Sequence, residues 1–140
     1  MTQSIPRPFD LSNNYTFLED GGAAPLVPGG AAFWRPLMSG PPFSPEIRRV
    51  AEGSGWLAAQ YAITSNTANW ERHPNGDELL IMLSGSMDLV FEVSAAEVRV
   101  ELGTGQAIVV PAGVWHRQIV RVPGTYVGVT YGRGTEHRAL

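Results

Sequence analysis

From Phe33 onward, this chain is a succession of short apolar runs, each closed by Gly, Pro, Asn or Asp. Sixteen glycines and eleven prolines, about a fifth of its 140 residues, supply that punctuation. Such spacing leaves no length for long helices and favours short strands joined by turns. The runs read as strands at 56–64, 67–73, 78–84, 86–93, 97–102, 106–111, 116–122 and 125–132, with 33–39 as a possible further strand. Residues 97–102 alternate apolar and charged at period 2, which predicts one solvated face. Only 44–53 reads as a helical turn. About eight strands at roughly 8–12-residue spacing form the pattern of an all-β barrel or sandwich.

The chain has room for one domain around a single core. Residues 1–32, rich in Pro, Gly, Asn and Ala, hold no sustained period. They are expected to form an arm that lies across a partner or across the chain's own barrel. The barrel is expected over 33–135, with 136–140 as a C-terminal tail.

Composition removes several chemistries. Without cysteine there is no disulfide framework, thiolate metal site or Cys nucleophile. All ten basic residues are arginine, so Schiff-base and lysine-base chemistry are also excluded. The arginines are scattered rather than gathered into a stripe, which argues against nucleic acid as a partner. The N-terminus MTQSIPRPFD lacks an apolar signal region, and two prolines interrupt the uncharged stretch at 21–34. The expectation is a cytoplasmic protein that does not engage a membrane.

Imidazole chemistry therefore falls to His73, His116 and His137. Two of these lie at turns between strands. In Glu71-Arg72-His73-Pro74-Asn75-Gly76-Asp77-Glu78, period 2 puts Glu71 and His73 on one face, and the Asn-Gly turn returns Glu78 on the adjacent strand. Glu78, Leu80, Met82 and Ser84 then share a face. In the second segment, Gly105 to His116, the turn Pro111-Ala112-Gly113 delivers His116 to the start of another strand. Period 2 from His116 turns Gln118 and Val120 inward and Arg117 and Arg121 outward. His137 is expected to be a solvated tail residue. Trp56, Trp70 and Trp115 are expected to pack in the core or at an interface.

These two segments resemble the two sequence motifs of the cupin superfamily. The second motif is matched at Gly105, Pro111, Gly113 and His116, and the first from its second histidine onward, at His73, Glu78 and Gly85. Together they cover a little over a third of the chain, Glu71 to Val120. Three positions depart from the family pattern: Glu71 stands in place of the first histidine, Ser65 in place of the leading glycine, and Val120 in place of the closing asparagine.

The resemblance implies a small single-domain β-barrel of two facing antiparallel sheets, with one divalent metal ion (Fe, Mn, Ni or Zn) held by His73, Glu78 and His116. Glu71 would be a fourth ligand or a general base. Two imidazoles with one carboxylate suffice for a non-haem iron site, and a second carboxylate makes the set harder. Two carboxylates close together in an apolar barrel cannot both stay ionised without a cation or a shared proton. The implied activity is metal-dependent and dioxygenase-like, an oxygen-dependent cleavage of a small organic molecule. Gln118 and Met82 would face that substrate. An isomerase or lyase step with Glu71 as base is the alternative, followed by a non-catalytic ligand-binding or sensor module and by a structural barrel whose metal site has decayed. The resemblance also implies a homodimer, with Trp34, Arg35 and the N-terminal arm over the barrel mouth or the partner.

Overall fold

The computed structural model describes residues 5–140; the first four residues of the expected arm lie outside the described residues. The elements are β1 (Asn14–Glu19), β2 (Leu26–Pro28), α1 (Ala31–Ser39), α2 (Pro45–Glu52), β3 (Gly55–Ile63), β4 (Asn69–Arg72), β5 (Glu78–Val93), β6 (Ala96–Gly103), β7 (Ala107–Val110), β8 (His116–Thr130) and β9 (Glu136–Ala139). The fold is an all-β barrel with antiparallel pairing between its strands, as the strand spacing predicts. It is not strictly closed, because β2, β6, β7 and β9 each pair with one neighbour only. Among the described residues no helix is long and apolar enough to cross a membrane.

Two long strands organise the barrel. The sequence suggests separate strands on either side of Gly85 and again around Gly124, but β5 and β8 run through both glycines. They pair along their whole length, from Glu78↔Thr130 to Phe91↔His116. One pair of halves lies with β7, β3, β1 and β2, and the other with β6, β4 and β9. The pairing is irregular between Met82 and Met87, where the strands pass from one arm to the other. Gly85 has a φ of 75°, and a Cβ on Gly124 would stand 2.0 Å from the Ser84 carbonyl oxygen. Only glycine permits backbones to approach so closely. The irregularity also shifts side-chain parity. Leu80 and Met82 are buried before it and Met87, Leu89 and Phe91 after it, whereas Ser84, expected on the Glu78 face, is exposed.

The buried side chains of both halves, with Ile63, Leu102 and Val110, form one core. A second core lies at the N-terminal end, where the sequence suggested an arm without regular structure. There β1 pairs with β3, and Tyr15 and Phe17 alternate inward. Two helices cover this end. Residues 33–39, a possible strand by sequence, belong to α1: Phe33 and Leu37, four apart, turn to the same core. The helical turn expected at 44–53 is α2. The Ser44 side chain accepts a hydrogen bond from the Ile47 N–H, Pro45 opens the first turn, and Ile47 is buried. Tyr61 links the two cores, its ring 5.4 Å from that of Tyr126.

The alternation at 97–102 is formed as β6, but of its apolar side only Leu102 is buried. Val98 and Val100 remain 45% and 37% exposed, since β6 is an edge strand paired only with β5.

Candidate metal centre

Three elements meet at the site: β4 carries Glu71, β5 opens with Glu78, and β8 opens with His116. His73 follows β4 directly. Glu71 and His116 are directly opposed across the β4–β8 pair. His73, Glu78 and His116 are all buried, in a region where a charge needs a partner. One Glu78 oxygen lies 3.3 Å from His73 Nε2, and the other lies 3.4 Å from His116 Nε2. Glu71 approaches from the other strand, with Oε1 at 3.9 Å from His73 Nε2. One ligand atom each from Glu71, His73 and His116 lie within 4.8 Å of one another. Glu78 touches both imidazoles without belonging to that triple.

The hydrogen bonds on the far side of each ring fix what the near side offers. The Thr135 hydroxyl donates to the Gly132 carbonyl at 2.7 Å, so it accepts from His73 Nδ1 at 2.8 Å. His116 Nδ1 lies 3.0 Å from the Val114 carbonyl, which can only accept. Both rings therefore carry a proton on Nδ1, and in the neutral form both present a bare Nε2 lone pair to the site. His73 Nε2 is buried without a hydrogen bond. This is the outer-sphere arrangement that orients metal-bound imidazoles. Two such lone pairs against carboxylate oxygens repel unless a cation or protons lie between them. The residues present therefore fit a divalent metal ion.

Charge coupling within the cluster is strong. Burial alone would raise the Glu78 carboxyl, but the His116 and His73 imidazoles outweigh it and hold the group down to about 2. For His116, burial opposes the charged ring, and Glu78 overcomes that and raises its pKa. Thr130 adds a hydroxyl donor to Glu78 at 2.5 Å.

A cavity of about 200 Å³ opens beside the cluster, lined by Glu71, His116, Gln118, Asn69, Thr67 and His137 among others. Gln118 faces it as period 2 predicts, its amide 3.5 Å from the Tyr126 hydroxyl. Burial pushes the Tyr126 phenol up to about 12, so it stays protonated. Met82 is elsewhere. It is fully buried in the barrel core and is not among the cavity-lining residues, so its place in the structure is packing. Arg121 points away from the site, pairing with Asp88 at 2.6 Å. Arg117, expected outward, is instead among the residues lining the cavity, its guanidinium 5.1 Å from the centre of the Trp70 ring. Trp34 lies against the rim of the second core and remains exposed, its indole N–H donating to the Tyr15 hydroxyl.

Sequence reasoning missed Thr135, Thr130 and His137. His137 is exposed, as expected, but it belongs to a strand rather than a tail: it sits on β9 opposite Glu71, with Nε2 3.5 Å from Glu71 Oε1. Its signal was weak: residues 136–139 alternate polar side chains and carry no apolar face to mark a strand.

Comparison with known proteins gives the geometry a family. A family model described as Cupin domain matches residues 61–126. That segment belongs to the cupin superfamily. The cupin segment contains Glu71, His73, Glu78 and His116, while Thr130, Thr135 and His137 lie beyond it. No curated protein matches the chain. Among solved structures, a cupin-2 domain containing protein from Shewanella frigidimarina is 18% identical, aligned over 56% of this chain and 70% of its own, with a TM-score of 0.45. A hydroquinone 1,2-dioxygenase from Sphingomonas sp. TTNP3, with 4-hydroxybenzoate bound, is 13% identical, aligned over 54% of this chain and 59% of its own, with a TM-score of 0.44. The coconut allergen cocosin is 11% identical, aligned over 60% of this chain and 23% of its own, with a TM-score of 0.50. The chain thus spans little more than half of the dioxygenase chain and under a quarter of the cocosin chain. At such identities the likeness is one of fold, and the chemistry must be argued from the site.

Proposed function

We propose that this cupin is a metal-dependent enzyme acting on a small oxygen-bearing organic molecule, with one divalent ion held by His73, His116, Glu78 and Glu71. The observation that carries the reading is the fixed pair of imidazoles. Their Nδ1 protons are taken by Thr135 and Val114, so both Nε2 atoms are free for a cation. Two nitrogens and two carboxylates suit Fe(II), Mn(II), Ni(II) or Zn(II). When bound, such an ion supplies either redox chemistry with oxygen or Lewis-acid activation of a carbonyl or hydroxyl group.

The chain's own residues supply the rest. Gln118 and Asn69 are the uncharged donors on the cavity wall that would orient a substrate's oxygen atoms. At about 200 Å³ the cavity is smaller than the roughly 300–1,000 Å³ of drug-sized pockets, which points to a compact substrate. Oxygen-dependent cleavage is the reaction placed first. A second reading, isomerisation or a lyase step, is favoured by one observation: Glu71 lines the cavity and is 38% exposed, open to a substrate proton in a way that buried Glu78 is not.

Metal analysis of protein purified without added metal tests the reading. About one equivalent of a divalent ion is expected in the wild type and none in His116→Ala. Wild type without an ion above trace level, or His116→Ala with full retention, would overturn it. Oxygen uptake with Fe(II) and a panel of diketones, phenols and hydroxyacids then separates the two reactions. The isomerase or lyase consumes no oxygen, but incorporates deuterium from heavy water.

A further inference from the structure

We propose that His137 is a positioning residue of the metal centre, holding the Glu71 carboxylate in place, so that the C-terminal strand β9 forms part of the site. The inference rests on the metal reading above and goes beyond it by adding a residue outside the cupin segment.

Four observations converge. First, β9 pairs antiparallel with β4, and His137 is the residue directly opposite Glu71. Second, the neighbours of His137 are anchored on the other face of that pair. Glu136 accepts from Arg72 at 2.8 Å, and Arg138 donates to Glu92 at 2.6 Å. The Arg138 guanidinium also lies over the rings of Trp115, at 4.6 Å, and Trp70, at 5.3 Å. With 136 and 138 pinned on one side, period 2 turns residue 137 to the Glu71 side. Third, the imidazole stands close to its target without a hydrogen bond to it, His137 Nε2 lying 3.5 Å from Glu71 Oε1, and both residues line the same cavity.

The fourth observation concerns need. Three of the four proposed ligands have an outer partner: Thr135 for His73, the Val114 carbonyl for His116, and Thr130 for Glu78. Among the described residues Glu71 has no side-chain hydrogen bond, and it is the most exposed of the four. A half-exposed glutamate on a four-residue strand samples several rotamers, and a neighbouring N–H donor restricts it to the one that faces the ion. Thr135 and His137 are two residues apart. One short segment near the C-terminus thus serves one ligand through a hydroxyl and a second through an imidazole.

Co²⁺ titration of the full chain, read by calorimetry and by the visible absorption of the bound ion, tests the proposal. His137→Ala is expected to weaken Co²⁺ binding about 10–100-fold, the usual loss for an outer-sphere partner, and to change the absorption spectrum. His137→Gln, which keeps an N–H donor, should stay within about threefold of wild type and keep its spectrum. His137→Phe keeps a ring on β9 without the donor, which separates lost strand packing from lost donation, and should behave as His137→Ala does. In a Glu71→Ala background, His137→Ala should add no further loss. Wild-type affinity and spectrum in His137→Ala, or an undiminished penalty in the Glu71→Ala background, overturns the proposal. The two readings fail differently. Equal Co²⁺ binding by wild type and His116→Ala removes the metal centre and His137 with it; loss in His116→Ala but not in His137→Ala removes His137 alone.

Discussion

At the scale of single residues, the site depends on where its protons sit. Glu78, held down to about 2, contributes stability above its ordinary carboxylate range, and that contribution is lost as pH falls through about 2. His116 has the opposite sign. Its raised pKa contributes stability that is complete below its ordinary value of 6.5 and is lost as pH rises through the raised value. A metal ion reverses this preference, because it competes with the proton for the same Nε2. Metal-free protein is therefore expected to melt at a lower temperature as pH rises past neutrality, and His116→Ala should flatten that slope. Bound metal should leave on mild acidification, at higher pH than for a site built on histidines of ordinary pKa. Melting curves and metal release across pH 5–9 give both readouts. In the sequence, His73, Glu78 and His116 are grouped as a set by the resemblance to the cupin motifs. The sequence does not show Thr130 and Thr135, since a threonine hydroxyl as an outer partner has no spacing signature of its own.

At the scale of elements, the crossing of β5 and β8 is the most demanding point. A Cβ on Gly124 would meet the Ser84 carbonyl oxygen at 2.0 Å, and one on Gly85 would meet the Val122 carbonyl oxygen at 2.4 Å. Both obstacles are backbone atoms, which cannot swing aside. Gly124→Ala is expected to cost about 3 kcal/mol or more, in the range reserved for forced backbone strain. Gly21→Ala, at a position with nothing within 4 Å, should stay within about 0.5 kcal/mol of wild type. Urea unfolding of the two variants measures the contrast. Gly85 is visible in the sequence as a motif position, but its partnership with Gly124 is not. Period-2 reading runs Glu78, Leu80, Met82 and Ser84 along one face and misplaces only Ser84, because an irregular pairing register leaves no mark in residue type. At the other end, Phe33 and Leu37 read equally well at strand or helix spacing over seven residues. The apolar surface of Tyr15, Val27 and Leu57 made them helical by offering a face to cover.

For the whole molecule, the proposed metal binding would be linked to folding, since the proposed ligands come from β4 and the residue after it, β5 and β8, and converge only in the folded chain. A ligand present at about 100 times its Kd adds about 2.7 kcal/mol to the folded state. A chelator is therefore expected to lower the melting temperature of the wild type by several degrees and to leave His116→Ala unchanged, as calorimetry would show. No shift in the wild type would detach the ion from the fold.

The sequence by itself determined the fold class, the position of two imidazoles and one carboxylate at turns, and the exclusion of thiolate and lysine chemistry. Those properties reside in residue type and local spacing, which turn geometry reads directly. Only the tertiary structure decided which hydroxyls serve His73 and Glu78, that Met82 packs in the core, and that His137 stands beside Glu71. These are contacts between residues some 50 to 66 positions apart, brought together by pairing across strands that no local pattern specifies.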